Sequence, residues 1–116
     1  MVVGCGGDRD KTKRPRMAKE AQALADRIVV TSDNPRTENA GQIINDIMAG
    51  FTDVDGLDVT MIEDRRAAIE FAIDSAEKDD IVLIAGKGHE TYQIIGETKY
   101  DFDDRRIARK ALETKC

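Results

Sequence analysis

The feature that most constrains this chain is a repeated alternation of a short β-branched or apolar run, a loop rich in glycine and charge, and a stretch with helical spacing. Val2-Val3 is a strand stub, and Ile28 to Thr31, Val59 to Ile62 and Ile81 to Ala85 are runs of the kind that fill buried strands. Three helical patterns lie between them. The first places Met17, Ala21, Leu24 and Ala25 on one face, the second Ile43, Ile44, Ile47, Met48 and Phe51, and the third Ala68, Ile69, Ala72, Ile73 and Ala76. Pro15 suits the opening turn of the first helix and Gly50 the end of the second. Strands that alternate with helices pair in parallel through crossover connections, so the pattern predicts an α/β fold with a mainly parallel sheet and helices on both faces.

At residue 91 the rhythm changes. TYQIIGETKYDF, residues 91 to 102, reads as a hairpin in which Gly96-Glu97 forms a two-residue turn with glycine first, adding an antiparallel edge strand. Asp103 then caps a last helix carrying Ile107, Ala108, Ala111 and Leu112. The 116 residues fit one domain spanning 1–116. Charged residues make up 35% and hydrophobic ones 41%, which describes a soluble globular chain better than a disordered one, and the net charge of -5 argues against nucleic acid as a partner. No apolar run approaches the roughly 20 residues that span a bilayer, so no membrane association and a cytoplasmic location are expected. Cys5 and Cys116 form no spaced framework, and with His89 they offer too few ligands for zinc.

In parallel sheets ligands bind at the carboxyl ends of the strands, and the unusual residues of this chain follow its four apolar runs. GCGGDRDKTKR comes first, then SDNPRTE, EDRR and GKGHE. The first loop is no phosphate loop of the G-x-x-x-x-G-K-[ST] type, because Arg9 stands five residues after Gly4. Arg9 is its best ligand contact; Lys11, Lys13 and Arg14 read as a solvated or phosphate-facing basic stretch, with Asp8 and Asp10 available to pair with them. In the second loop Asp33, Asn34 and Thr37 are candidate helix caps and Pro35 stiffens the turn. Arg36 does not fit a capping role, since a cation at a helix N-terminus opposes the macrodipole unless an anion lies between them. In the fourth loop Gly86 and Gly88 allow close backbone approach, Glu90 can hold an ammonium group, Lys87 reads as solvated or anion-facing, and His89 fits packing better than catalysis. Two arginines for carboxylate and one glutamate for ammonium suit a zwitterionic amino-acid group.

At these residues the chain resembles the carboxy-terminal domain of the Mur ligases. The likeness rests on GCGGDRDKTKRP at 4 to 15, TSDNPRTE at 31 to 38, AGKGHETYQ at 85 to 93 and YDFDDRRIAR at 100 to 109, in family order over nearly the whole chain. The quartet Asp33-Asn34-Pro35-Arg36 is like that of the members that add meso-diaminopimelate instead of L-lysine. The resemblance implies a Rossmann-like fold and a part in ATP-dependent amide formation, in which the D-glutamate carboxylate of UDP-MurNAc-L-Ala-D-Glu becomes an acyl phosphate that the amine of diaminopimelate attacks. By position, Arg9, Asn34 and Arg36 would bind the amino-acid carboxylates, and the Gly86 carbonyl and Glu90 the distal ammonium.

The family's phosphate loop and modified lysine lie in a central domain, and its uridine site in another, neither of which is in this sequence. The chain therefore reads as a ligase portion truncated at its start. ATP and magnesium are expected to belong to the full-length enzyme, with no cofactor, metal or catalytic residue in this portion and no amide formation by it alone. A noncatalytic alternative, in which an exposed sheet edge binds a partner or a second copy, follows from the missing leading strand.

Overall fold

A computed structural model describes residues 1–7, 11–52, 58–87 and 90–115. Elements follow in the order β1 (Val2–Val3), α1 (Lys13–Leu24), β2 (Arg27–Val30), α2 (Ala40–Met48), β3 (Asp58–Met61), α3 (Arg65–Ser75), β4 (Tyr92–Ile95), β5 (Thr98–Asp101) and α4 (Asp104–Lys115). β1, β2 and β3 form a parallel sheet in that order, with Val3 opposite Val30 and Val30 opposite Met61. Successive strand residues point to opposite faces, and this alternation divides the core in two. Val3, Ile28 and Val30 pack with Ala18 and Ala21 of α1 and Ile43, Ile44 and Ile47 of α2. Val2 and Val29 pack on the other face with Ala68, Ile69 and Ile73 of α3 and Ile107 and Ala111 of α4. This is the Rossmann-like α/β arrangement, with helices on both faces.

The run from Ile81 to Ala85 lies beside β1 but contributes a single parallel bridge, Val2 to Ile84. β1 is the reason. Being two residues long, it offers this side only the N–H and C=O of Val2, which bond to Leu83 O at 2.8 Å and Ala85 N at 2.9 Å. The spatial order is thus 81–85, β1, β2, β3, and the chain reverses direction across the sheet between β1 and 81–85. Such a switch point leaves a crevice at the carboxyl ends of the strands.

The hairpin is present, with Gly96 at φ +63, yet β4 and β5 form their own two-stranded sheet instead of extending the parallel one. Its backbone bridge to the second loop joins Ile95 to Arg36. Other boundaries shift by physical cause. α1 opens before Pro15 and buries Arg14, Ala18 and Ala21, leaving Leu24 80% exposed in its last turn. α2 is capped by Asn39, whose side chain accepts from Gln42 N at 3.1 Å, so neither Asp33 nor Thr37 is that helix's cap. Asp103 does cap α4, accepting from Arg105 N at 2.9 Å.

Candidate functional site

The loops after all four apolar runs meet at the carboxyl end of the sheet. Gly7 N donates to Asn34 O at 2.7 Å, joining the first loop to the second. A β-carbon on Gly7 would lie 1.7 Å from Pro35 O, so only glycine permits this approach. Glu63 O, from the third loop, accepts from Ser32 Oγ at 2.8 Å and Thr31 Oγ1 at 3.2 Å. Gly86 is held at φ +116 beside Asp33 and Gly4, which brings the fourth loop to the same place.

Arg36 departs from the sequence expectation. It does not sit at a helix N-terminus, because α2 starts only at Ala40. Its backbone is instead held in the left-handed region at φ 55, unusual for a residue with a β-carbon. The hairpin imposes this: Arg36 N donates to Ile94 O at 3.1 Å and Arg36 O accepts from Gly96 N at 2.6 Å. Its Nη1 donates to Gly7 O at 3.0 Å and Asn34 O at 3.4 Å, anchoring one prong of the guanidinium over the first loop.

Asn34 is 2% exposed and lies at the centre of the cluster. Its Oδ1 accepts from Lys87 Nζ at 2.8 Å and from Ile94 N at 2.9 Å, while Nδ2 faces Glu90 Oε2 at 3.5 Å. The Glu90 carboxylate, through hydrogen bonding and its charge, pushes the Tyr92 phenol above its ordinary range. Asp33 Oδ1 stands 3.0 Å from the Lys87 ammonium, held by charge without a directed hydrogen bond. Pro35 is buried against Gly7. Arg9, with Asp8, Asp10, Gly88 and His89, lies outside the described residues, as does Cys116.

Three cations read from sequence as solvated or as general loop polarity are buried and structural. Lys87 is 2% exposed, Arg14 1% and Arg65 0%. Arg14 binds Glu38 at 2.8 and 3.0 Å and Asp46 at 2.9 Å, closing α1 against the second loop and α2. Arg65 binds Asp104 and reaches Ser32 O and Ala85 O, both at 3.1 Å. Their spacing carried a signal: Arg14 lies four and seven residues before the buried Ala18 and Ala21, and Arg65 three and four before Ala68 and Ile69, which places each on its helix's buried stripe. Gln93, also unassigned from sequence, joins the hairpin to Ser32 Oγ at 3.0 Å and Asp33 O at 2.7 Å.

The chain that carries this cluster is similar along almost its whole length to known proteins. Residues 1–88 match the family described as Mur ligase, glutamate ligase domain. The chain belongs to the Mur ligase family. A relative from Oceanobacillus iheyensis, named UDP-N-acetylmuramoyl-L-alanyl-D-glutamate--2,6-diaminopimelate ligase, is 59% identical over 115 residues, covering 99% of this chain and 23% of the relative. One of the same name from Lactiplantibacillus plantarum is 59% identical over 114 residues, covering 98% and 22%. A solved Mur ligase structure bearing that name superposes with a TM-score of 0.93 at 47% identity, covering 98% of this chain and 23% of its own. The chain thus spans less than a quarter of the Mur ligases it matches.

Among the described residues no three His, Cys, Asp or Glu side chains converge as a metal donor set. Asp33 is paired with the Lys87 ammonium and Glu90 stands beside the Asn34 amide, so these two carboxylates do not form a shared donor set that fits a divalent ion. No helix among these residues is long and apolar enough to cross a membrane.

Proposed function

We propose that this chain, as one domain over residues 1–116, is the amino-acid-binding portion of a cytoplasmic ATP-dependent ligase. That ligase joins meso-diaminopimelate to UDP-MurNAc-L-Ala-D-Glu in the synthesis of cell-wall peptidoglycan precursor. The observation that carries the reading is the convergence of Arg36, Asn34 and Glu90 on one rim, within a chain more than half identical to ligases named for diaminopimelate. The planar guanidinium of Arg36 and the amide N–H groups of Asn34 suit carboxylates, and the Glu90 carboxylate suits the distal ammonium. Arg9 is assigned to a carboxylate, the Gly86 carbonyl to the ammonium, and Asp33 and Pro35 to shaping the loop. ATP, magnesium and the UDP-linked dipeptide are assigned to the part of the ligase outside this chain, and the chain alone forms no amide bond.

The test is Glu90→Gln in the intact ligase. KM for meso-diaminopimelate should rise about tenfold or more, from the loss of a charge-assisted contact, while KM for ATP stays put. An unchanged KM for the amine removes this rim from the substrate site.

A second reading concerns the chain in isolation. Ile81 is 93% exposed, Leu83 53% and Leu24 80%, all lining a 580 Å³ groove at the amino end of the sheet. Apolar surface beside a strand edge of this kind drives self-association. Sedimentation of the isolated chain should show dimers or larger species; a pure monomer at high concentration contradicts it.

A further inference from the structure

We propose that Lys87 is a positioning residue for the amine substrate, fixing the Asn34 side-chain amide so that its N–H donors face the rim. The inference rests on the reading of that rim as the diaminopimelate site and concerns a residue to which that reading gives no role. Lys87 follows Gly86 in a loop, yet its side chain is fully buried. Its ammonium ends among three oxygens, Asn34 Oδ1 at 2.8 Å, Tyr92 O at 2.9 Å and Asp33 Oδ1 at 3.0 Å. The Phe102 ring lies on a further side, its centroid 5.9 Å from Nζ. Two of these oxygens, Asn34 Oδ1 and Tyr92 O, take directed hydrogen bonds from the ammonium, and the Asp33 carboxylate balances its charge.

The two ends of an asparagine amide are nearly identical in shape and differ in hydrogen bonding, so the end that meets a ligand is decided by what the other end binds. Asn34 Oδ1 takes two donors, Lys87 Nζ and Ile94 N, which use both of its lone pairs. Nδ2 is thereby turned toward Glu90 Oε2. Inverting the amide would set its NH2 against the Lys87 ammonium and its carbonyl against the Glu90 carboxylate, unfavourable at both ends. Lys87 also neutralises Asp33 in place, so a substrate carboxylate approaching Asn34 and Arg36 meets no uncompensated negative charge from that side. The bond to Tyr92 O ties this arrangement to the strand that follows Glu90.

The experiment uses the intact ligase carrying Lys87→Met, Asn34→Ala, both together, and Glu90→Gln as a reference, with kcat, both KM values and thermal midpoint measured for each. Methionine keeps most of the lysine's length and removes its donors. Lys87→Met should raise KM for meso-diaminopimelate about tenfold with KM for ATP unchanged, and should add little when Asn34 is already alanine. An unchanged KM for the amine in Lys87→Met, or effects that simply add in the double variant, overturns the proposal. If Glu90→Gln raises that KM and Lys87→Met does not, only Lys87 loses its role; if neither does, the site reading falls with it. Should Lys87→Met not fold, NMR of the wild-type protein decides. Contact between the Asn34 Nδ2 protons and the Glu90 side chain is expected, whereas contact from those protons to the Ile94 amide proton marks the inverted amide and overturns the proposal.

Discussion

Arg65 and Asp104 face each other as a two-pronged pair, Nε to Oδ1 at 2.8 Å and Nη2 to Oδ2 at 2.7 Å, in the space where α3 and α4 meet the carboxyl ends of the strands. The guanidinium is fully buried, and its remaining reach holds Ser32 O and Ala85 O, one from each of two loops that build the rim. Removing one partner of a buried pair strands the other's charge, which costs far more than the pair contributes against an apolar replacement. Asp104→Asn should therefore destabilise the chain by about 3–5 kcal/mol in denaturant unfolding, and Arg65→Met with Asp104→Leu should recover much of it. A loss under about 1 kcal/mol for the single variant would show that the pair is not a keystone.

Arg36 should set the choice between diaminopimelate and lysine in the intact ligase. The two amines differ by one carboxylate on the distal carbon, and a charge-assisted hydrogen bond contributes roughly 1.5–3 kcal/mol. Arg36→Ala should cut the ratio of kcat/KM values by about ten- to a hundredfold. Arg36→Lys should rescue little, since it keeps the charge and loses the fork. The ratio of the two kcat/KM values is the measurement, and no change in it after Arg36→Ala removes the residue from specificity.

Gly7→Ala should disturb the rim without touching any charged group. The added carbon would sit 1.7 Å from Pro35 O, a backbone atom that moves only if the whole turn moves. We expect a loss of ~3 kcal/mol or more, the upper end of what overpacking costs. In the intact ligase KM for the amine should rise with it; wild-type stability in thermal unfolding would refute the close approach.

Tyr92 reports on Glu90. Hydrogen bonding to that carboxylate, and the carboxylate's charge, favour the neutral phenol and hold its titration above the ordinary range. Tyr92 and Tyr100 are the two tyrosines of the chain, so in a Tyr100→Phe background the ultraviolet phenolate titration belongs to Tyr92 alone. Glu90→Gln should move it down toward the usual value, because the neutral amide no longer opposes the phenolate. A titration that stays where it was would place Glu90 away from the hydroxyl.

The sheet and its two cores were legible because strand and helix periods differ, and apolar residues at each period fall on one face. Ile81 to Ala85 was legible in place but not in form, since a ladder is as long as its shorter partner and β1 is two residues. That Asn34, Arg36 and Glu90 gather on one rim was legible from their positions after the apolar runs, Arg36 for a reason the structure replaces: the hairpin, not a helix dipole, holds it. The buried cations were read by charge when they should have been read by register. Arg14 and Arg65 share the stripes of alanine and isoleucine residues, whereas Lys87, flanked by Gly86 in a loop, has no period to betray it. Long-range partners such as Asp104 for Arg65 are set by tertiary packing, which no local pattern records.

The left-handed backbone of Arg36 limits the routes open to descent with modification. Both its N–H and its C=O are tied to the hairpin, so the main chain there stays put when the side chain is exchanged. If Arg36 meets the amine as proposed, a lineage samples new amine preferences by changing one codon, without rebuilding the loop. Glycine and asparagine are the cheapest replacements at such a φ, and valine, isoleucine or threonine the dearest. The alphabet available for retuning this position is consequently set by a torsion angle before any substrate is encountered.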